Sequence, residues 1–175
     1  MIEKARMVLM GGMGYPLTET PWGMPKLKTR LEAIGVQVLL ISWKDRQQCY
    51  DFLHDNIWTW IGLAGDSLGA GSAAQYAGDL KKPVDYVAGF QPSMHDERTQ
   101  IINGEGIIFV PANVKRAHCV YDPWWIDTAG LGSAKYRETD THKTKLLITE
   151  HRGAHPDDWG YSQDIIFNEI KGLLK

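Results

Sequence analysis

The sequence predicts an α/β fold, a doubly wound and mostly parallel sheet of about six strands flanked by helices. Three observations predict it. Short apolar runs rich in β-branched residues recur along the chain, helix-like segments fall between several of them, and most of the runs are continuous rather than alternating. A continuous apolar run suits a strand buried on both faces, as in a parallel sheet. Strand–helix alternation supplies the crossovers such a sheet requires.

The elements follow in order. "RMVLM" (6–10) is the first strand, and a glycine loop, "MGGMGYP", leaves its end. "PKLKTRLEAIG" (25–35) spaces Leu27, Leu31 and Ile34 at helical intervals and ends in glycine, a helix stop. "VQVLLIS" (36–42) is a strand, and "KDRQQCYDFLHDN" (44–56) a helix with Cys49, Phe52 and Leu53 on one face. The strand "IWTWIGLA" (57–64) runs into the alanine-rich helix "LGAGSAAQYAGDL" (68–80), whose end Gly78 weakens. The strands "VDYVAGF" (84–90), "RAHCVY" (116–121) and "KLLIT" (145–149) follow, then a helix at 161–175 with Ile166, Ile170 and Leu173 as its apolar stripe. Residues 91–115 and 122–144 read as long irregular connections. Both leave carboxyl ends of strands, the edge where open α/β sheets bind ligands.

A chain of 175 residues is one domain's worth, so 1–175 is expected to fold as a single unit. Its 43% hydrophobic and 23% charged residues are ordinary for a soluble globular protein, and a net charge of -2 argues against nucleic acid as a partner. No run approaches a membrane span, and "MIEKARMVLMGG" is too short in apolar residues for a signal-peptide core, so a cytoplasmic location is expected. Of the two cysteines, Cys119 lies in a strand-like run and reads as a buried free thiol. The histidines and carboxylates form no metal-ligand pattern such as H-E-x-x-H, and no cofactor is expected. The oligomeric state is not legible.

Chemistry enters with "GDSLG", residues 65–69, which fits G-x-S-x-G. A strand precedes it, a helix follows, and Gly71, Ser72, Ala73 and Ala74 let that helix pack close. This is the setting of a nucleophile elbow, a strained turn that lifts the Ser67 hydroxyl clear of the backbone. The helix start adds free N–H groups and a positive dipole end.

A serine nucleophile needs a base. Of six histidines, among them His142, His54 precedes the serine on a helix and has no special setting, and His118 lies within a strand as a satisfied core or edge residue. His95 stands in the 91–115 connection. His155, in "TEHRGAHPDDWGY" between the last strand and last helix, is the chosen base, with His151 the runner-up. Pro156 stiffens that turn, and Asp157 or Asp158 is placed to cap the helix. Asp122, at a strand's carboxyl end before Pro123, is the chosen acid, with Asp127 and Asp96 as alternatives. The oxyanion hole falls to the backbone N–H groups of Leu68 and Met13. Gly11, Gly12 and Gly14 permit close approach there. "GGMGYP" has Leu17 where a dinucleotide loop needs its third glycine, which counts against a nucleotide cofactor.

On "GGMG", "GDSLG", Asp122 and His155, in the order Ser, Asp, His, the chain resembles the α/β-hydrolase superfamily in its small, lidless esterase and lipase-like branch. "VPANVKRAHCVY" is similar to short hydrolases encoded by bacteria and their phages. The resemblance implies a minimal hydrolase fold without a cap domain, lacking the first two of eight strands. It implies a Ser67–His155–Asp122 serine hydrolase acting on a small-molecule acyl ester or thioester. Trp124 and Trp125, with Trp22 and Trp159, are candidate acyl-chain contacts or packing anchors. The chain departs from the family twice. Gly11 stands where many members carry histidine, and Phe90-Gln91-Pro92 stands where some carry the acid in an F-D-P-like segment. The separate family named for its GDSL motif is a poor match, because the only D-x-x-H runs from Asp51 to His54, ahead of the serine. Rival readings are a binding protein that kept the fold without catalysis and a flavodoxin-like nucleotide binder.

Overall fold

The computed structural model describes residues 4–12, 23–55, 57–93, 96–123, 133–151 and 159–175. Six strands form the central sheet: β1 (Ala5–Gly11), β2 (Val36–Ser42), β3 (Trp60–Asp66), β4 (Tyr86–Phe90), β7 (Arg116–Tyr121) and β9 (Lys145–Glu150). Their order is β2-β1-β3-β4-β7-β9, and every pairing is parallel. The chain therefore winds one way from β1 to β2, then returns past β1 to build outward from β3. The crevice between β1 and β3 is the topological switch point, where ligands bind in such sheets.

The helices are α1 (Met24–Glu32), α2 (Arg46–Leu53), α3 (Leu68–Asp79) and α4 (Trp159–Leu173). β1 shows why the apolar runs are continuous. Met7 and Leu9 pack with Leu27 and Leu31 of α1 and Ile166 and Ile170 of α4, while Val8 and Met10 pack with Cys49 and Leu53 of α2 and Ala70 and Ala73 of α3. Alternate side chains of one strand enter two different cores, so neither set can be polar. The structure is thus the doubly wound α/β fold that the alternation predicts.

The details differ in four places. β3 begins at Trp60 rather than at Ile57, which is 55% exposed in the preceding turn. Ile34 lies beyond the end of α1 and is exposed, because the helix stops before Gly35 turns the chain at φ +89°. Gly78 is inside α3, which runs on to Asp79. The long connections are not plain loops. They supply β5 (Gln100–Ile102), β6 (Glu105–Val110) and β8 (Ala134–Glu138), a second sheet ordered β5-β6-β8. Asn103 and Gly104, both at positive φ, make the tight β5–β6 hairpin. Ile108, Val110, Ala134 and Tyr136 of this sheet join the core on the α3 side. Tyr136 lies so close to Gly89 that a methyl there would be 2.6 Å from its Cζ, and its hydroxyl donates to the Ala70 carbonyl at 2.7 Å.

Candidate active site

β3 is buried along its whole length, and one residue separates its end, Asp66, from the start of α3 at Leu68. That residue is Ser67, with φ 53° and ψ -116°. Such a conformation is strained for a residue with a Cβ and persists only where the surroundings over-determine it. Here they do. The Ser67 N–H donates to the Phe90 carbonyl at 2.9 Å, and its own carbonyl accepts from the Ala70 N–H at 3.1 Å. The glycines on either side are steric requirements. A Cβ at Gly65 would lie 1.9 Å from the Gly69 carbonyl oxygen, and one at Gly69 would lie 2.2 Å from the Met10 carbonyl oxygen. Both G positions of G-x-S-x-G thus let α3 bear directly on β1 and β3.

The end of β1 closes over this turn. A Cβ at Gly12 would sit 2.8 Å from Ser67 Cβ and 2.9 Å from the Asp66 carbonyl oxygen. Gly12, the first residue after β1, and Ser67, the first after β3, are therefore packed against each other at the switch point. Leu68, the first residue of α3, belongs to the turn whose N–H groups lack intrahelical partners. Asp66 is buried beneath. Desolvation pushes its carboxyl up to about 7, against the opposing pull of a hydrogen bond from the Gly12 N–H.

Asp122 follows β7 at the same sheet edge and is buried. Its N–H donates to Gln91 Oε1 at 2.6 Å, and its carbonyl accepts from the Ser133 hydroxyl. His151 follows β9 at this edge, its N–H donating to the Tyr121 carbonyl at 2.9 Å and its ring 4.1 Å from that of Tyr161. Ser67, Asp122 and His151 thus all stand at carboxyl ends of parallel strands. Met13, Trp22, His95, Trp124, Trp125, Asp127, His155, Asp157 and Asp158 lie outside the described residues, as do all side-chain contacts of Trp159.

Asp96 is engaged elsewhere. It is buried against Arg98, whose guanidinium also donates to Ser72 Oγ at 2.7 Å and to the Leu68 carbonyl at 3.3 Å. This pair lies over Gly71, where a Cβ would meet Asp96 Oδ2 at 1.9 Å. Its carboxylate serves as Arg98's counter-ion on the first turns of α3, which argues against the acid role considered for it. His118 is the satisfied core residue that its strand position predicts. Its Nδ1 meets Glu169 Oε2, and its Nε2 meets Thr149 Oγ1 at 2.9 Å. Tyr86 and Arg116 donate to the same Glu169. Burial pushes Glu169 up, yet the bonds from His118, Tyr86 and Arg116 outweigh it and hold its carboxyl below the usual range. His54 is exposed at the C-terminal cap of α2. Cys49 and Cys119 are buried free thiols, both pushed up to about 12 by desolvation.

Two groups escaped sequence reasoning. Arg98 has Asp96 two residues away, but its other partners, Ser72 and the Leu68 carbonyl, reach it only through packing. Gln91 stood out as a departure from a family pattern, but its bond to Asp122 spans two strands that are distant in sequence. A cavity of about 260 Å³ opens at the opposite, amino-terminal edge, lined by Trp58, Lys82, Asp85 and Lys115 among others. Its charges are spent internally, Lys115 on Asp85 at 2.7 Å and Asp85 on the Ile61 N–H at 2.8 Å.

The fold and the site define a class, a doubly wound α/β protein with a serine on a strained strand-to-helix turn at the switch point. No family model matches the chain, and no curated protein matches it. Among solved structures it is similar to one described as LipS and LipT, two metagenome-derived lipolytic enzymes. The TM-score is 0.53 and the identity 10%, over 99% of this chain and 94% of that one. The likeness is one of fold, and it gives this sheet a lipolytic neighbour. Among the described residues, no helix is long and apolar enough to cross a membrane.

Proposed function

We propose that this chain is a serine hydrolase that cleaves carboxylic esters or thioesters through an acyl-enzyme intermediate. The observation that carries the reading is Ser67 itself, held at φ 53° between β3 and α3 with Gly12 packed against its Cβ. A tight structural turn would have no need of a serine there, since glycine adopts that conformation without strain.

In the proposed mechanism Ser67 Oγ attacks the acyl carbon while the His155 imidazole takes its proton. Asp122 holds the tautomer and stabilises the imidazolium. The N–H groups of Leu68 and Met13 receive the oxyanion. The alcohol or thiol leaves with the proton from His155. Water, deprotonated by the same imidazole, then releases the carboxylic acid and restores Ser67. His151 is the second candidate for the base, since it too stands at the carboxyl edge beside Tyr161. With no cap domain expected, the site is reached from the surface, and Trp124 and Trp125 are the proposed contacts for the acyl chain.

The test is labelling by a fluorophosphonate, which reacts with activated serines. Wild type should label, and Ser67→Ala and His155→Ala should not. If His151→Ala loses labelling and His155→Ala keeps it, the base is His151. If folded wild type takes no label, the hydrolase reading gives way to that of a binding protein.

A further inference from the structure

The side chain that ties the end of β4, which lies between β3 and β7, to Asp122 is an amide. Gln91 is the first residue after β4 and is 1% exposed. Its φ is +43°, an uncommon conformation for a residue with a Cβ. Two hydrogen bonds secure it there. Its N–H donates to the Val120 carbonyl at 2.7 Å, and its Oε1 accepts the Asp122 N–H at 2.6 Å. The preceding residue, Phe90, accepts the Ser67 N–H through its carbonyl. An unbroken line therefore runs from the Ser67 backbone through Phe90 and Gln91 to the Asp122 backbone. The following residue extends it, since the Pro92 carbonyl accepts the Ala134 N–H at 2.6 Å. Gln91 Nε2 is buried, and no described residue satisfies it.

We propose that Gln91 is a positioning residue for the hydrolytic site, clamping Asp122 at a fixed height and distance from Ser67 through its side-chain amide. This rests on the reading of Ser67 and Asp122 as nucleophile and acid. The chemistry explains why an amide serves where a carboxylate would also accept the Asp122 N–H. A carboxylate at 91 would bury a second negative charge within one residue of Asp122, and like charges that close resist joint ionisation. The neutral amide supplies the acceptor without adding a charge beside Asp122.

Three variants test this: Gln91→Met, which removes the acceptor, Gln91→Glu, which keeps it and adds the charge, and Gln91→Asn, smaller and still neutral. Thermal unfolding establishes that each folds. The readouts are kcat, KM and pH dependence with a short-chain aryl ester, alongside fluorophosphonate labelling. Gln91→Met should lower kcat at least tenfold with KM within twofold, because the acid is misplaced and substrate contacts are not. Gln91→Glu should move the acid limb of kcat/KM to higher pH by about one unit, since added negative charge favours the imidazolium. A purely structural role would lower the unfolding midpoint and leave that limb where it was. Gln91→Asn should fall between Gln91→Met and wild type in kcat, with the limb unmoved. If wild type and the folded variants share the same kcat and the same limb while labelling persists, the Gln91 assignment is overturned and the serine reading stands. If wild type takes no label, both fall together.

Discussion

Gly69→Ala sets two opposed effects against each other at one atom. At an exposed helical position the change favours the helix by up to about 1 kcal/mol, because alanine loses less backbone entropy than glycine. At Gly69 the new Cβ would stand 2.2 Å from the Met10 carbonyl oxygen and 2.9 Å from its carbonyl carbon. Those atoms belong to β1, which is hydrogen-bonded on both sides to β2 and β3 and cannot yield like a side-chain tip. The first turn of α3 must then move off the sheet by about 1 Å, an overpacking that costs roughly 3 kcal/mol, the upper end of the usual range. The net expectation is a loss of about 2 kcal/mol, or roughly 4–8 °C in Tm for a chain of this size. Gly172→Ala is the control: it lies in α4, is exposed, and has nothing within 4 Å of its Cβ, so it should gain up to about 1 kcal/mol. Urea unfolding followed by circular dichroism reads both. Because Leu68 and Ser67 sit on the displaced turn, Gly69→Ala should also slow fluorophosphonate labelling by at least tenfold. A Gly69→Ala protein as stable as wild type, or stabilised like the control, would refute the claim that α3 bears on the β1 backbone.

The strain at Ser67 reverses the usual order of two substitutions. Ser67→Gly should be more stable than Ser67→Ala by about 1 kcal/mol in urea melts, because glycine relieves the positive-φ cost that alanine retains, and neither should label. Equal stabilities would mean that the turn is unstrained. Asp66 gives a pH signature. A carboxyl raised by burial to about 7 makes the folded state bind a proton that the unfolded chain releases near pH 4. Its contribution is present in full below about pH 4, falls as pH rises towards 7, and is gone above. The difference in stability between Asp66→Asn and wild type should therefore grow from about pH 4 to pH 7 and then level off; a difference that is flat with pH would place the Asp66 carboxyl in its ordinary range.

How much of this molecule was legible in its sequence follows from what each feature depends on. The six central strands and four helices were readable because a strand covered by helices on both faces is apolar along most of its length. Periodicity reports that constraint directly, as in "VQVLLIS" and "RAHCVY". "GDSLG" was readable for a similar reason: glycine at 65 and 69 is a local record of two backbones in contact, even before the contact partners are known. The second sheet was not readable. β5 and β8 are three and five residues long, and β8 pairs in parallel with a strand some thirty residues earlier, so no local pattern marks them. Side-chain pairings across strands were invisible for the same reason. Asp96 reads as a free carboxylate until α3 delivers Ser72 and the Leu68 carbonyl to Arg98 beside it. Gln91 reads as a lost acid until β4 and β7 lie side by side. Backbone hydrogen bonding and apolar periodicity are written into neighbouring residues, and the sequence alone determined what they govern: the layers, the winding and the place of the serine. Which polar groups meet is decided by strand order and register, which bring together residues dozens of positions apart, and only the tertiary structure determined that Asp122 is tied to Gln91 and Arg98 to Ser72 and the Leu68 carbonyl.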